Sequence, residues 1–241
     1  MRGDQHVLIT LFSGGLLIAP HLAVIAPTGI AALLFGLFVG SLAPDADATD
    51  AAIFHTRVPG LRGVTRRVAD LAGGVLPVFG YLIRYGVYFP VAGVFWLISG
   101  GRLRAGHRGV LHSLLGVALS TALTGLYLMA ALHLLGWAAP AVFTLGLAGF
   151  GVGALLHLAE DSCTPGGIAW LYPLSQRRVR GRLRTGRSDL RPRLFAAALG
   201  SAMWACVLLV AWDGAAAEAV AEVSLFLFFA LWTFFWLAAR T

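Results

Sequence analysis

The sequence predicts an all-α protein, a polytopic transmembrane helical bundle with one re-entrant or interfacial segment. Three observations carry this. Of 241 residues, 59% are hydrophobic and only 12% charged, about half the roughly 25% charged residues of a soluble domain, too few to build a water-facing surface. Apolar stretches near the roughly 20 residues that cross about 30 Å of hydrocarbon recur along the whole length, so a cleavable leader does not account for them. The arginines gather in a few connections and are missing from the others, the pattern of a chain threaded through a bilayer. One membrane-embedded domain, residues 1–241, is expected at this length.

Taken in order, the apolar spans are 7–26, 29–43, 71–100, 110–136, 141–159, 194–212 and 220–239. The connection after the second span holds Arg57, Arg62, Arg66 and Arg67, and the next holds Arg102, Arg104 and Arg108. A third, from Arg177 to Arg193, holds eight arginines. Residues 27–28, 137–140 and 213–222 contain none, and the last of these is acidic. Basic loops face the cytoplasm, so both termini and the three basic loops are expected there, with the other spans paired as hairpins. Every basic residue is Arg, giving a net charge of +7. The third loop is expected to meet anionic lipid headgroups. No nucleic acid is expected, because no aromatics interleave with those arginines to stack bases.

Segment 71–100 resists a simple crossing, which would put basic loops on opposite faces. It contains Pro77, Pro90 and, near its middle, Arg84 among Tyr81, Tyr85 and Tyr88. Proline breaks the helix ladder, and a charge at the bilayer centre is costly. The segment is therefore expected to dip in and return, or to lie along the interface. A kinked single pass is the alternative. Gly146, Gly149, Gly151 and Gly153 in the fifth span predict close helix contact. They do not read as a phosphate loop, since no strand precedes them and no Gly-Lys-Ser/Thr follows. Cys163 and Cys206 form no CxxC or zinc-knuckle spacing.

Acidic residues and histidines are few, so their places are informative. Asp45 and Asp47 follow the second span, and His107 and His112 open the fourth. His157 and Asp161 close the fifth, and His6 precedes the first. The topology inferred from arginine alone puts all seven at the cytoplasmic ends of their spans. His157 and Asp161, spaced i, i+4, share a helix face. His107 and His112 require a helix start between them, and Gly109 offers one. A mixed His/Asp set suits zinc, manganese or iron better than calcium. Seven candidates exceed the four ligands of a structural zinc site and suit two or more ions beside a reacting phosphate or water.

A single His or Asp at a helix end is ordinarily an interfacial residue or a cap. That plainer reading holds for His6 taken alone, for Asp50 and His55, and for Asp70 as a helix cap. It does not readily explain three helices presenting ligands at one depth. His21 and His133 fall toward the other end. Arg108 reads either as a holder of phosphate or carboxylate through paired hydrogen bonds or as one more inside-positive arginine. Thr164-Pro165-Gly166 reads as a turn with a hydroxyl available to a substrate.

The motifs PDAD, HRGVLHS and HLAEDSCTPGGIAWLYPLS, in that order, resemble the family of LexA-regulated, membrane-bound predicted metal-dependent hydrolases, the YdjM type. Its pattern runs from an N-terminal His through LPDxDH and HRGxTHS to HxxxDxxTxxGxxxxxP. The resemblance covers residues 6 to about 175, leaving the basic stretch 176–193 and the hairpin 194–241 outside. It implies His6, Asp45, Asp47, His107, His112, His157 and Asp161 as metal ligands, with Arg108, Ser113 and Thr164 as motif positions. Ala48 and Leu111 depart from it, standing where the family often has His and Thr. The ligand order is also similar, more remotely, to the helical zinc-dependent phospholipase C and nuclease group. That implies hydrolysis of a lipid-linked phosphoester by metal-activated water at the inner membrane, with Arg108 steadying the phosphate and Asp47 accepting the proton. The competing expectations are a transporter that binds metal in transit and a scaffold with a structural metal. A transporter should present polar groups along a path, where the sequence offers little beyond His21 and His133. No GxSxG or Cys–His context supports a serine or cysteine hydrolase.

Overall fold

Helices that are apolar on every side leave no face for water and belong in lipid. The computed structural model, which describes residues 1–61, 63, 66–67, 70, 73–101, 108–138, 140–184 and 189–241, is built of such helices. They are α1 (Gly3–Ile18), α2 (Pro27–Gly40), α3 (Leu76–Ile98), α4 (Leu114–Leu134), α5 (Pro140–Asp161), α6 (Arg191–Trp212) and α7 (Ala217–Ala238). Five helices among the described residues are long and apolar enough to cross a membrane, while α2 is a shorter apolar helix. No strand occurs among them, only an isolated antiparallel bridge between Ile168 and Val179.

The chain packs as the arginine pattern predicts, with α1/α2, α4/α5 and α6/α7 as hairpins whose open ends share one end of the bundle. The start of α1 meets the end of α5 there, as the His6 ring lies against Glu160 and Asp161. Arg191, opening α6, donates to the Ala238 carbonyl at the end of α7 (2.8 Å). Trp236 donates to the Ala159 carbonyl (3.4 Å). Both termini and the described parts of the three arginine-bearing connections therefore lie at this end.

The tightest seam joins α2 and α5. A Cβ on Gly36 would strike the Gly146 carbonyl, one on Gly40 the Phe150 carbonyl, and one on Gly153 the Leu37 carbonyl. Backbones meet without intervening side chains, the small-residue packing used where lipid supplies no hydrophobic drive between helices.

The expected return within segment 71–100 does not occur. Residues 76–98 form one helix, with a π-turn at Arg84–Tyr88. Pro77 stands in the first turn, where its missing donor costs nothing, and Pro90 follows the π-turn, whose widened ladder absorbs the gap. The direction of this helix decides its meaning. Moving toward and along it, Gly73 lies against Thr56, Gly80 against Ile53, and Arg84 reaches the Ala46 carbonyl at 3.5 Å. Leu76, Ile83 and Val87 share a core with Leu42, Ala43 and Ala46. α3 thus starts beside the turn after α2 and packs its middle against α4, where the Tyr127 hydroxyl donates to the Gly86 carbonyl (2.9 Å), and it is one of the five helices long and apolar enough to cross.

Candidate metal centre

Each site residue is placed by the end of an element. Asp45 and Asp47 lie on a 3-10 turn, Ala43–Asp47, entered through Pro44 directly after α2. His112 precedes α4, not within it as a start at Gly109 would require. The helix begins at Leu114, and Ser113 caps it by accepting from the Gly116 N–H (3.0 Å) while donating to the Val110 carbonyl (2.7 Å). His157 and Asp161 close α5 on one face, and His6 lies in the first turns of α1.

These elements bring three buried imidazoles together with two carboxylates. His112 Nε2 lies 3.3 Å from Asp45 Oδ1 and 3.9 Å from Asp161 Oδ2. His157 Nε2 lies 3.6 Å from Asp45 Oδ1, and His6 Nε2 lies 3.6 Å from Asp161 Oδ1. The His6 and His157 rings stack with centroids 3.9 Å apart. The opposite ring nitrogens face outward to braces. His157 Nδ1 lies 2.7 Å from the Ser41 carbonyl, His6 Nδ1 lies 2.7 Å from Glu160 Oε2, and His112 Nδ1 lies 3.5 Å from Asp47 Oδ2.

The donor set fits a transition-metal ion. Four ligands at the roughly 2.1 Å bond lengths of zinc stand about 3.4 Å from one another in a tetrahedron, close to the separations of the inward atoms. Among the described residues two groupings could hold an ion, His6–Asp45–His157 and His112–His157–Asp161. An outer partner on the second nitrogen is how metal-binding histidines are oriented. Without an ion, burial works against charge on both His112 and Asp45. The hydrogen-bonded carboxylates of Asp45 and Asp47 nonetheless push His112 up to about 9, and His157 and His112 hold Asp45 below the usual carboxylate range.

Arg108 closes the rim. Its backbone is left-handed (φ 60°), uncommon for a residue with a side chain. Its N–H donates to Asp47 Oδ2 (3.1 Å). Its guanidinium spans Asp161 Oδ2 (2.9 Å) and the Thr164 hydroxyl (3.0 Å). A Cβ on Gly166 would collide with that guanidinium, so the turn read as Thr164-Pro165-Gly166 makes room for it. The α-amino group of Met1 lies 2.6 Å from Asp161 Oδ1. Asp45 and Arg108 are the open members, with side chains 23% and 18% exposed.

Of the seven sequence-expected ligands, His6, Asp45, His112, His157 and Asp161 converge. Asp47 stands behind His112, and His107 lies outside the described residues, as do Arg62, Arg102, Arg104 and Arg187. Cys163 is turned away, its thiol directed at the Ala159 carbonyl and pushed up to about 12 by burial. Two partners had no reading from sequence, the Ser41 carbonyl and the Glu160 carboxylate. Glu160 is adjacent to Asp161, and the signal for it was a second acid at the end of an apolar helix.

Helices that cross a membrane, with a buried His/Asp cluster at one end, define an integral membrane protein with a candidate metal centre. The chain belongs to the YdjM inner membrane protein family, whose pattern it matches over residues 1–239. The match includes the C-terminal hairpin, which the motif resemblance left out. No curated protein and no solved structure matches it significantly.

Proposed function

We propose that this inner-membrane protein is a metal-dependent hydrolase that cleaves a phosphoester of a lipid or similar amphiphile at the cytoplasmic face. The observation that supports this most is the convergence of three imidazole Nε2 atoms on Asp45 and Asp161, with a partly exposed guanidinium at the rim. His157 would hold the ion together with His6 and Asp45, or with His112 and Asp161, three protein ligands leaving a position for water, with zinc favoured over manganese or iron by the histidine-rich set. When bound, it would bring the pKa of water toward neutrality and polarise a phosphoryl oxygen. Both ligand groupings use His157, whose outer nitrogen is engaged by Ser41, so one ion per chain is proposed in place of two or more.

Arg108 would bind phosphate oxygens through parallel N–H groups, with Thr164 orienting it. Asp47 is engaged with His112 and the Arg108 N–H and would hold those groups in place. Arg178, held on the Gly166 carbonyl (3.2 Å), and its neighbours in the third loop would meet anionic headgroups beside the site.

The test is metal content of the detergent-purified protein by elemental mass spectrometry, beside a His157→Ala/Asp161→Ala double variant, followed by a screen of phosphomonoester and phosphodiester probes. Zinc near one per chain, lost in a variant that keeps its helical circular dichroism, together with turnover of a probe, is expected. No bound metal under replete conditions would remove the hydrolase reading.

A further inference from the structure

Glu160 is a fully buried carboxylate that the proposed reaction does not use. Burying a carboxylate is costly unless it is paired, so its partners carry its meaning. One oxygen lies 2.7 Å from His6 Nδ1. The other accepts a hydrogen bond from the Thr10 hydroxyl (3.2 Å). His6 and Thr10 are one turn apart on α1, so a single side chain of α5 grips two successive turns of α1. The two nitrogens of an imidazole lie on different edges of the ring. A proton on Nδ1, facing the Glu160 carboxylate, would leave the Nε2 lone pair turned toward Asp161.

We infer that Glu160 is the positioning residue that fixes the tautomer and orientation of His6 and so completes the metal centre, an inference that rests on the metal-site reading above. The site has three histidines and three braces. Ser41 holds His157, Asp47 holds His112, and Glu160 holds His6. The first two braces follow from the turn after α2. The third couples α1, which contributes one ligand, to α5, which contributes two. Glu160 acts on the centre through His6, since its carboxylate lies on the Nδ1 side of that ring.

A simple structural tie between α1 and α5 makes a different prediction, and the experiment separates the two. Zinc affinity is measured by competition with a chromophoric chelator for the full-length detergent-purified wild type, Glu160→Leu, Glu160→Gln, His6→Ala and His6→Ala/Glu160→Leu. Thermal melts of each metal-free protein are run alongside. Glu160→Leu is expected to weaken zinc about tenfold to hundredfold. Glu160→Gln should weaken it by less, since an amide oxygen still accepts the Nδ1 proton. In the His6→Ala background Glu160→Leu should cause no further loss, because the coupled residue is gone. An equal loss in that background, or unchanged affinity in Glu160→Leu, overturns the inference. If Glu160→Leu does not fold, Glu160→Gln decides, and unchanged affinity there overturns it equally. A wild type that binds no zinc overturns the metal-site reading itself, whereas zinc binding that depends on His6 but not on Glu160 overturns only this inference.

Discussion

The α2/α5 seam and the α6/α7 hairpin solve the same packing problem with opposite materials. In the seam, Gly36, Gly40, Gly149 and Gly153 bring backbone against backbone. In the hairpin, large rings fill the gap. Phe195 stacks on Phe235 with centroids 4.0 Å apart, and meets Trp232 edge-on at 5.2 Å. The seam ends in Ser41, Asp45, His157 and Asp161, while α6 and α7 place no ligand in the site. Side chains can change rotamer to absorb an error, and a carbonyl in a helix cannot. The difference teaches that register is held most rigidly where a ligand's position depends on it.

The largest way to break this comparison is Gly153→Val. The new Cβ would strike the Leu37 carbonyl and lie 3.0 Å from the Ser41 amide, prising His157 from its brace. Overpacking ordinarily costs about 1–3 kcal/mol. The expected outcome is a lower Tm together with at least roughly a hundredfold loss of zinc affinity, read by melting and chelator competition. Intact zinc binding in this variant would show that the seam does not set the site. Next in size is Arg108→Gln, which leaves the seam alone. Turnover of a phosphodiester probe should fall about 10²–10³-fold, as on removal of one oxyanion donor, with zinc content unchanged.

Much of the seam was legible in the sequence, and the reasons are local. Composition fixes the solvent, arginine asymmetry fixes which ends share a face, and the i, i+4 spacing of His157 and Asp161 needs only helix geometry. The placement of α3 was half legible. Arg84 and two prolines marked the segment as irregular, but no periodicity distinguishes a return from the π-turn within one helix that is found there. The braces were the least legible. Ser41 acts through a backbone carbonyl, which leaves no trace in residue type, and Asp47 differs from Asp45 only by which edge of His112 it faces. The ring packing of the hairpin depends on the angle between α6 and α7, and that is set by tertiary contact.

A smaller effect sharpens the comparison through protons. His112 sits just before α4, outside the seam, between two carboxylates that push it up to about 9, above its ordinary 6.5. A raised pKa means that this interaction stabilises the metal-free protein fully below 6.5 and is lost as the pH rises through about 9. Zinc needs the neutral ring, so binding at pH 7 should release a proton from His112. Affinity is expected to rise by about tenfold per pH unit from 7 and level off near 9. Zinc titration in weak buffer with a pH indicator measures the release, and His112→Gln should abolish that part of the slope.

The smallest expected effect lies in the hairpin. Phe235→Leu removes the ring stacked on Phe195 but keeps an apolar side chain that can shift to fill the space. Aromatic pairs are worth about 0.5–1.5 kcal/mol beyond their area, so the Tm should fall by a few degrees with zinc affinity unchanged. The hairpin does touch the site-bearing end, through Trp236 on the Ala159 carbonyl and the Arg182 N–H on the Ala239 carbonyl, both close in sequence to Phe235. A zinc loss in Phe235→Leu as large as that of Gly153→Val would therefore mean that ring packing also sets the end of α5, and that the two regions hold the site together. Zinc binding that survives while the Tm drops places the setting of the ligands in the glycine seam.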